Sequence, residues 1–148
     1  MSLPYYLPIR GAIVIVGKEP DADSVRLIAD DADLYQYLKR AYSIKPSRGP
    51  SGDGSVQLRF EAVDAPEVHY GQAEQPLGAE ARDLLLEWMG FGDGEFGRPN
   101  QPNRVTGAEP ATGIAGAILL KGADSHGPSR TFCLTRTPAA CETESRRG

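Results

Sequence analysis

The chain has 148 residues, 40% of them hydrophobic, with 17 glycines and 12 prolines. That length gives one domain with a modest core and leaves no room for two ordinary ones, and so many turn formers favour short strands over a helical bundle. With 16 basic against 20 acidic residues the net charge is −4, which excludes general attraction to nucleic acid or anionic lipid, so any polyanion must be held locally.

The opening stretch MSLPYYLPIRGAIVIVG has no basic start, and Arg10 interrupts what would be the apolar region of a signal peptide. No stretch approaches the roughly 20 apolar residues of a membrane helix. The expectation is a soluble cytoplasmic protein, with secretion left open. Cys133 and Cys141 lack the paired spacing of a zinc site or a redox motif.

Residues 8–16, PIRGAIVIV, are β-branched and apolar and read as a strand. Residues 24–29, SVRLIA, follow a turn at Lys18–Asp23, which predicts a hairpin. From Asp30, acids suited to a helix start precede apolar spacing at Leu34, Tyr37, Leu38 and Tyr42, predicting a helix, and residues 46–54 read as a flexible loop. In this inserted segment Lys39, Arg40, Lys45 and Arg48 alternate with Tyr35, Tyr37 and Tyr42. Such a mixture suits single-stranded nucleic acid, whose bases stack while its phosphates pair with cations. The plainer reading is a surface helix whose tyrosines pack on the domain.

Residues 55–62, SVQLRFEA, alternate cleanly, Val56, Leu58, Phe60 and Ala62 on one face and Gln57, Arg59 and Glu61 on the other. The helix signal is strongest from Pro76 to Gly90, PLGAEARDLLLEWMG, with Leu84, Leu85 and Trp88 expected in the core. Residues 91–112 read as a loop. Its GDGEFG matches a phosphate-binding glycine pattern only formally, because it follows a helix and its acids would repel phosphate. Residues 113–121, GIAGAILLK, predict another strand. Beyond them the periodicity is lost, and residues 123–148 read as a poorly ordered, truncated or frame-shifted tail.

Directly after the best strand stands VDAPEVHYG. If the chain bends there, Arg59, Asp64 and Glu67 share one small volume, and Pro66 restrains the separation of the two carboxylates. Asp23 joins them if the first hairpin lies alongside; otherwise Asp21 and Asp23 are ordinary turn formers. Carboxylates with water and a backbone carbonyl suit a hard cation such as Ca²⁺ better than zinc. His69 follows close by, where a lone histidine reads equally as a surface or packing residue.

The stretch SVQLRFEAVDAPEVHYGQAEQPLGAEARDLLLEWM resembles the staphylococcal-nuclease-like (thermonuclease) family: a strand, an arginine, D-A-P-E five residues later, then Q-P-x-G-x-E-A opening a helix. DADSV at 21–25 resembles that family's D-G-D-T-V. The matched segments are residues 10–29 and 55–90, about two-fifths of the chain.

The resemblance implies a mainly β fold with α, a five-stranded OB-fold barrel with one helix packed on it, over residues 1–122 with an insertion at 30–54. It implies a calcium-dependent nuclease acting on DNA or RNA; the chain is also expected to be a monomer. Asp23, Asp64 and the Ala65 carbonyl would be metal ligands, Glu67 the general base on the attacking water, and Arg59 the phosphate ligand. From the composition of the insertion, not from the resemblance, Lys39, Arg40, Tyr42, Lys45 and Arg48 are the residues expected to contact the strand. The family's second arginine, just before its fifth strand, is matched here by Thr112 or Gly113, with Arg98 and Arg104 as substitutes if the preceding loop folds back. The alternative is an OB-fold module, catalytically impaired, that binds single-stranded nucleic acid or a protein partner.

Overall fold

The computed structural model describes residues 6–38, 40–50, 52–60, 63–68, 75–123 and 129–135. The fold is mainly β, and the described residues form seven strands and one α-helix: β1 (Leu7–Val14), β2 (Ser24–Ala29), β3 (Val56–Phe60), α1 (Gly78–Met89), β4 (Gly92–Arg98), β5 (Gln101–Glu109), β6 (Ile114–Ala123) and β7 (Ser129–Thr135). Among the described residues no helix is long and apolar enough to cross a membrane.

β1 and β2 form the expected antiparallel hairpin, with Gly11 opposite Ala29 and Val14 opposite Arg26. β3 pairs with β2, β6 with β1, and β7 lies between β6 and β3, so five strands pair in a ring, β1-β2-β3-β7-β6. The β3–β7 contact is parallel and short, Leu58 to Phe60 against Ser129 to Thr131. Alternation along these strands sends Ile9, Ile13, Val25, Leu27, Val56, Leu58, Ile118 and Leu120 into one core. Burying each such side chain is worth about 1.5–3 kcal/mol, enough to make the hairpin register unique, since a one-residue slip would turn the whole set to solvent. Glu61 and Ala62, the expected end of β3, lie outside the described residues.

Two segments read as irregular carry strands. Residues 91–112 are the β4–β5 hairpin, in which Phe96 stands opposite Val105. β4 is mostly exposed and has Phe96 as its one apolar anchor, so its composition predicts a loop. What holds it is tertiary: the buried Arg82 of α1 lies 4.0 Å from the centre of the Phe96 ring, and Val105 is buried in the core. The formal glycine motif is thus a strand. The expected disorder from residue 123 onward also differs over 129–135. β7 completes the ring there because β6 and β3 each leave backbone groups to be paired, a requirement that needs no side-chain pattern.

The expected helix from Asp30 is instead two 3-10 turns, Ala32–Tyr37 and Ala41–Ser43, interrupted at Leu38 and at Arg40, the latter with φ 56. The 46–54 loop is closed by the Ser47 amide donating to the Ser55 carbonyl at 2.8 Å and the Gly54 amide donating to Ser47 at 3.0 Å. Helix α1 ends as its sequence predicts, with Gly90 left-handed (φ 100) and the Phe91 amide returning to the Leu86 carbonyl at 2.9 Å. Its buried face differs from the reading. Arg82, Leu85, Leu86 and Met89 point inward, while Leu84 and Trp88 are exposed, Trp88 by 77%. Three consecutive leucines span about 200° of a helix, so the sequence leaves the phase open and packing selects it.

Candidate active site

The site begins with a register. Ser24 of β2 stands opposite Arg59 of β3, and the Phe60 amide donates to the Asp23 carbonyl at 2.8 Å. Asp23 therefore lies beside Arg59, and the Arg59 Nη2 to Asp23 Oδ2 distance is 3.0 Å. A tight turn delivers this carboxylate: Asp21 and Ser24 exchange backbone hydrogen bonds of 3.1 and 3.3 Å, and Asp21 Oδ1 accepts from the Ala22 amide at 2.9 Å. The two readings of these acids thus divide between them, Asp21 shaping the turn and Asp23 pairing with the arginine.

Residues 63–68 come alongside through Asp21, whose Oδ1 also accepts from the Val68 amide at 3.4 Å. Glu67 is held from the other side, its amide donating to Gln75 Oε1 at 2.9 Å and its carbonyl accepting from the Gln75 amide at 3.1 Å. Helix α1 backs this loop at Gly78. A Cβ there would sit 2.7 Å from the Glu67 carbonyl oxygen, so only glycine allows the approach.

Burial pushes the Asp23 carboxyl above its usual range; Arg59 pulls it down, and Asp21 and Asp64 push it further up. Asp23 is buried and Asp64 exposed, with Ala65 and Glu67 half-buried. Three carboxylates and one arginine thus set the potential at this corner of the fold. Among the described residues no three His, Cys, Asp or Glu side chains gather closely enough to hold a metal by themselves.

Glu67 and Asp21 also face a cleft of about 460 Å³ lined by Lys18, Arg26, Gln57 and Arg104 among others. Its far wall is β5, brought in where Gly17 and Lys18 pair with Val105 through backbone hydrogen bonds of 2.8 and 2.9 Å. The Arg104 Nε is buried with no hydrogen-bond partner, an arrangement that costs about 1–3 kcal/mol or more for a charged group. Arg26 donates to the Ser55 hydroxyl and carbonyl, both at 2.8 Å. Sequence reading missed Arg26, although its place on the polar face of β2 was visible; Arg104 reaches the cleft because its segment is a strand that folds back. Arg98 stays exposed.

An arginine could not occupy position 113. Gly113 has φ 92, and a Cβ there would strike the Ile13 carbonyl oxygen. In the inserted segment Arg40, Tyr42, Lys45 and Arg48 are all exposed, Tyr42 by 83%, and Tyr37 is exposed too. Tyr35 alone of the three tyrosines packs in the core, so the packing reading holds for one ring and not for the others. Lys39 and His69 lie outside the described residues. No family model matches the chain. No solved structure matches it.

Proposed function

We propose that the chain is a staphylococcal-nuclease-like OB-fold domain that hydrolyses phosphodiester bonds of DNA or RNA with Ca²⁺. The observation that carries the reading is the meeting of Arg59 with Asp23 at 3.0 Å while the charges of Asp21 and Asp64 act on the same carboxylate, on loops whose motifs resemble that family. The ring order β1-β2-β3-β7-β6 with its parallel β3–β7 contact supports an OB-type barrel, with the β4–β5 hairpin inserted after α1.

Asp23, Asp64 and the Ala65 carbonyl would hold the cation, which when bound offsets negative charge developing on the phosphate oxygens. Arg59 spends one terminal nitrogen on Asp23, and its side chain is 42% exposed. A guanidinium has five donors, so the others remain for a non-bridging phosphate oxygen. Glu67, held by Gln75 at the mouth of the cleft, accepts the proton of the attacking water. The water oxygen bonds to phosphorus as the bond to the leaving oxygen breaks.

Cleavage of labelled single-stranded DNA by the wild type with Ca²⁺, by the wild type with EDTA, and by Glu67→Gln tests this. Calcium-dependent cutting should be lost in both controls, the variant falling by about 10²–10⁴-fold. Cutting that persists in Glu67→Gln removes the assigned base. A second reading, a module that binds single-stranded nucleic acid without cutting it, is favoured by the exposed Tyr37 and Tyr42 beside Arg40, Lys45 and Arg48. A folded wild type that retains the strand but never cleaves it would select that reading.

A further inference from the structure

Two of the guanidinium groups that line the cleft have no ion-pair partner among the described residues, although Glu19, Asp21 and Glu67 line it as well. Lys18, on the same wall, is neutralised by Asp53 at 2.8 Å. Arg26 from β2 bonds only to the neutral Ser55, and Arg104 from β5 leaves its Nε unpartnered. Among the described residues neither arginine has a carboxylate within ion-pair distance. Arg104 lines the cleft, and its Nη2 is 3.8 Å from where a Cβ of Gly17 would stand.

We infer that Arg26 and Arg104 form an anion subsite that takes a phosphate group of the nucleic-acid strand other than the one being cut. The pairing points there: Lys18, Arg26 and Arg104 line the cleft together with Glu19, Asp21 and Glu67, and the two arginines, from different strands, are its cations without an ion-pair partner among the described residues. Guanidinium groups match phosphate oxygens through paired donors, which a carboxylate partner would otherwise occupy. The cleft volume of about 460 Å³ lies within the roughly 300–1,000 Å³ of small-molecule sites, enough for a nucleotide. Glu67 borders the same cleft, so a strand whose reacting phosphate lies at Arg59 continues past Glu67 toward β5. The identity of the anion as part of a polynucleotide rests on the nuclease reading; its phosphate chemistry rests on the two arginines.

Titration of the wild type, Arg104→Gln and Arg104→Lys with thymidine 5′-monophosphate, followed by amide and arginine Nε–H NMR, tests the subsite without any cleavage. Shifts are expected at Gly17, Gln57 and Gln101 and at the Arg104 Nε–H, with affinity falling roughly tenfold in Arg104→Gln, the value of one charge-assisted contact, and partly restored in Arg104→Lys. Absence of shifts at those amides, or equal affinity in Arg104→Gln, overturns the subsite. Salt dependence of single-stranded DNA binding gives a second readout: the slope should fall by about 1 in Arg104→Gln, and an unchanged slope counts against the assignment. The two readings fail separately. Mononucleotide binding in the cleft by a protein that never cuts keeps the subsite and rejects the nuclease; calcium-dependent cutting with unaltered KM and slope in Arg104→Gln does the reverse.

Discussion

Replacing Tyr35 by phenylalanine should stabilise the protein. Tyr35 is 6% exposed, belongs to the core, and has a buried hydroxyl with no hydrogen-bond partner. Stripping water from a hydroxyl without replacing its hydrogen bonds costs about 1–3 kcal/mol, whereas the ring contacts survive in phenylalanine. The expected gain is about 1 kcal/mol at neutral pH, after allowance for relaxation around the smaller side chain. Burial also pushes the phenol from 10.0 up to about 12. Because the folded value is the higher one, the neutral phenol favours folding fully below pH 10, and that contribution drains away as pH rises from 10 to 12. At pH 11 the wild type should have lost roughly 1.4 kcal/mol that Tyr35→Phe keeps, one pH unit being worth 1.36 kcal/mol. Urea unfolding of both proteins at pH 7 and pH 11, compared at equal m-values, measures both numbers. A variant less stable than the wild type by 1 kcal/mol at pH 7, or a gap that does not widen at pH 11, would refute the reasoning.

Gly78→Ala should disturb the Glu67 loop, since the new methyl meets the Glu67 carbonyl at 2.7 Å; under the proposed nuclease function cleavage should fall while α1 helicity by circular dichroism is kept, and cleavage equal to the wild type's would show that the loop can give way. Burial alone would raise the Asp53 carboxyl, but hydrogen bonds from Lys18 and Ser55 hold it well below its usual 3.8. Its folded value being the lower one, it stabilises above about pH 4 and that gain is lost on acidification, so Asp53→Asn should flatten the acid limb of an unfolding series and cost ~0.2–1 kcal/mol at pH 7 for so exposed a pair. Leu86→Ala should cost about 2–5 kcal/mol and Trp88→Ala under about 0.5, a contrast that chemical denaturation resolves and that equal losses would contradict.

The alternation in residues 55–60, the β-branched run at 8–14 and the glycine at position 90 act locally, through pleat, propensity and left-handed backbone, so the ring's first three strands and the end of α1 were legible from the chain itself. The meeting of Asp23 with Arg59 was legible for a related reason: a tight turn and a strand of known parity confine where these two can stand. Tertiary structure alone decided the face of α1, because three adjacent leucines carry no phase until Leu86 meets the core. It decided β4 and β7 as well, whose pairing answers to unsatisfied backbone groups on their neighbours and to one ring, Phe96, lying against a buried arginine. The cleft belongs to the same class. Arg26 and Arg104 are 78 residues apart by their numbering, and only the fold-back of β5 onto the β1–β2 turn places both charges in one cleft.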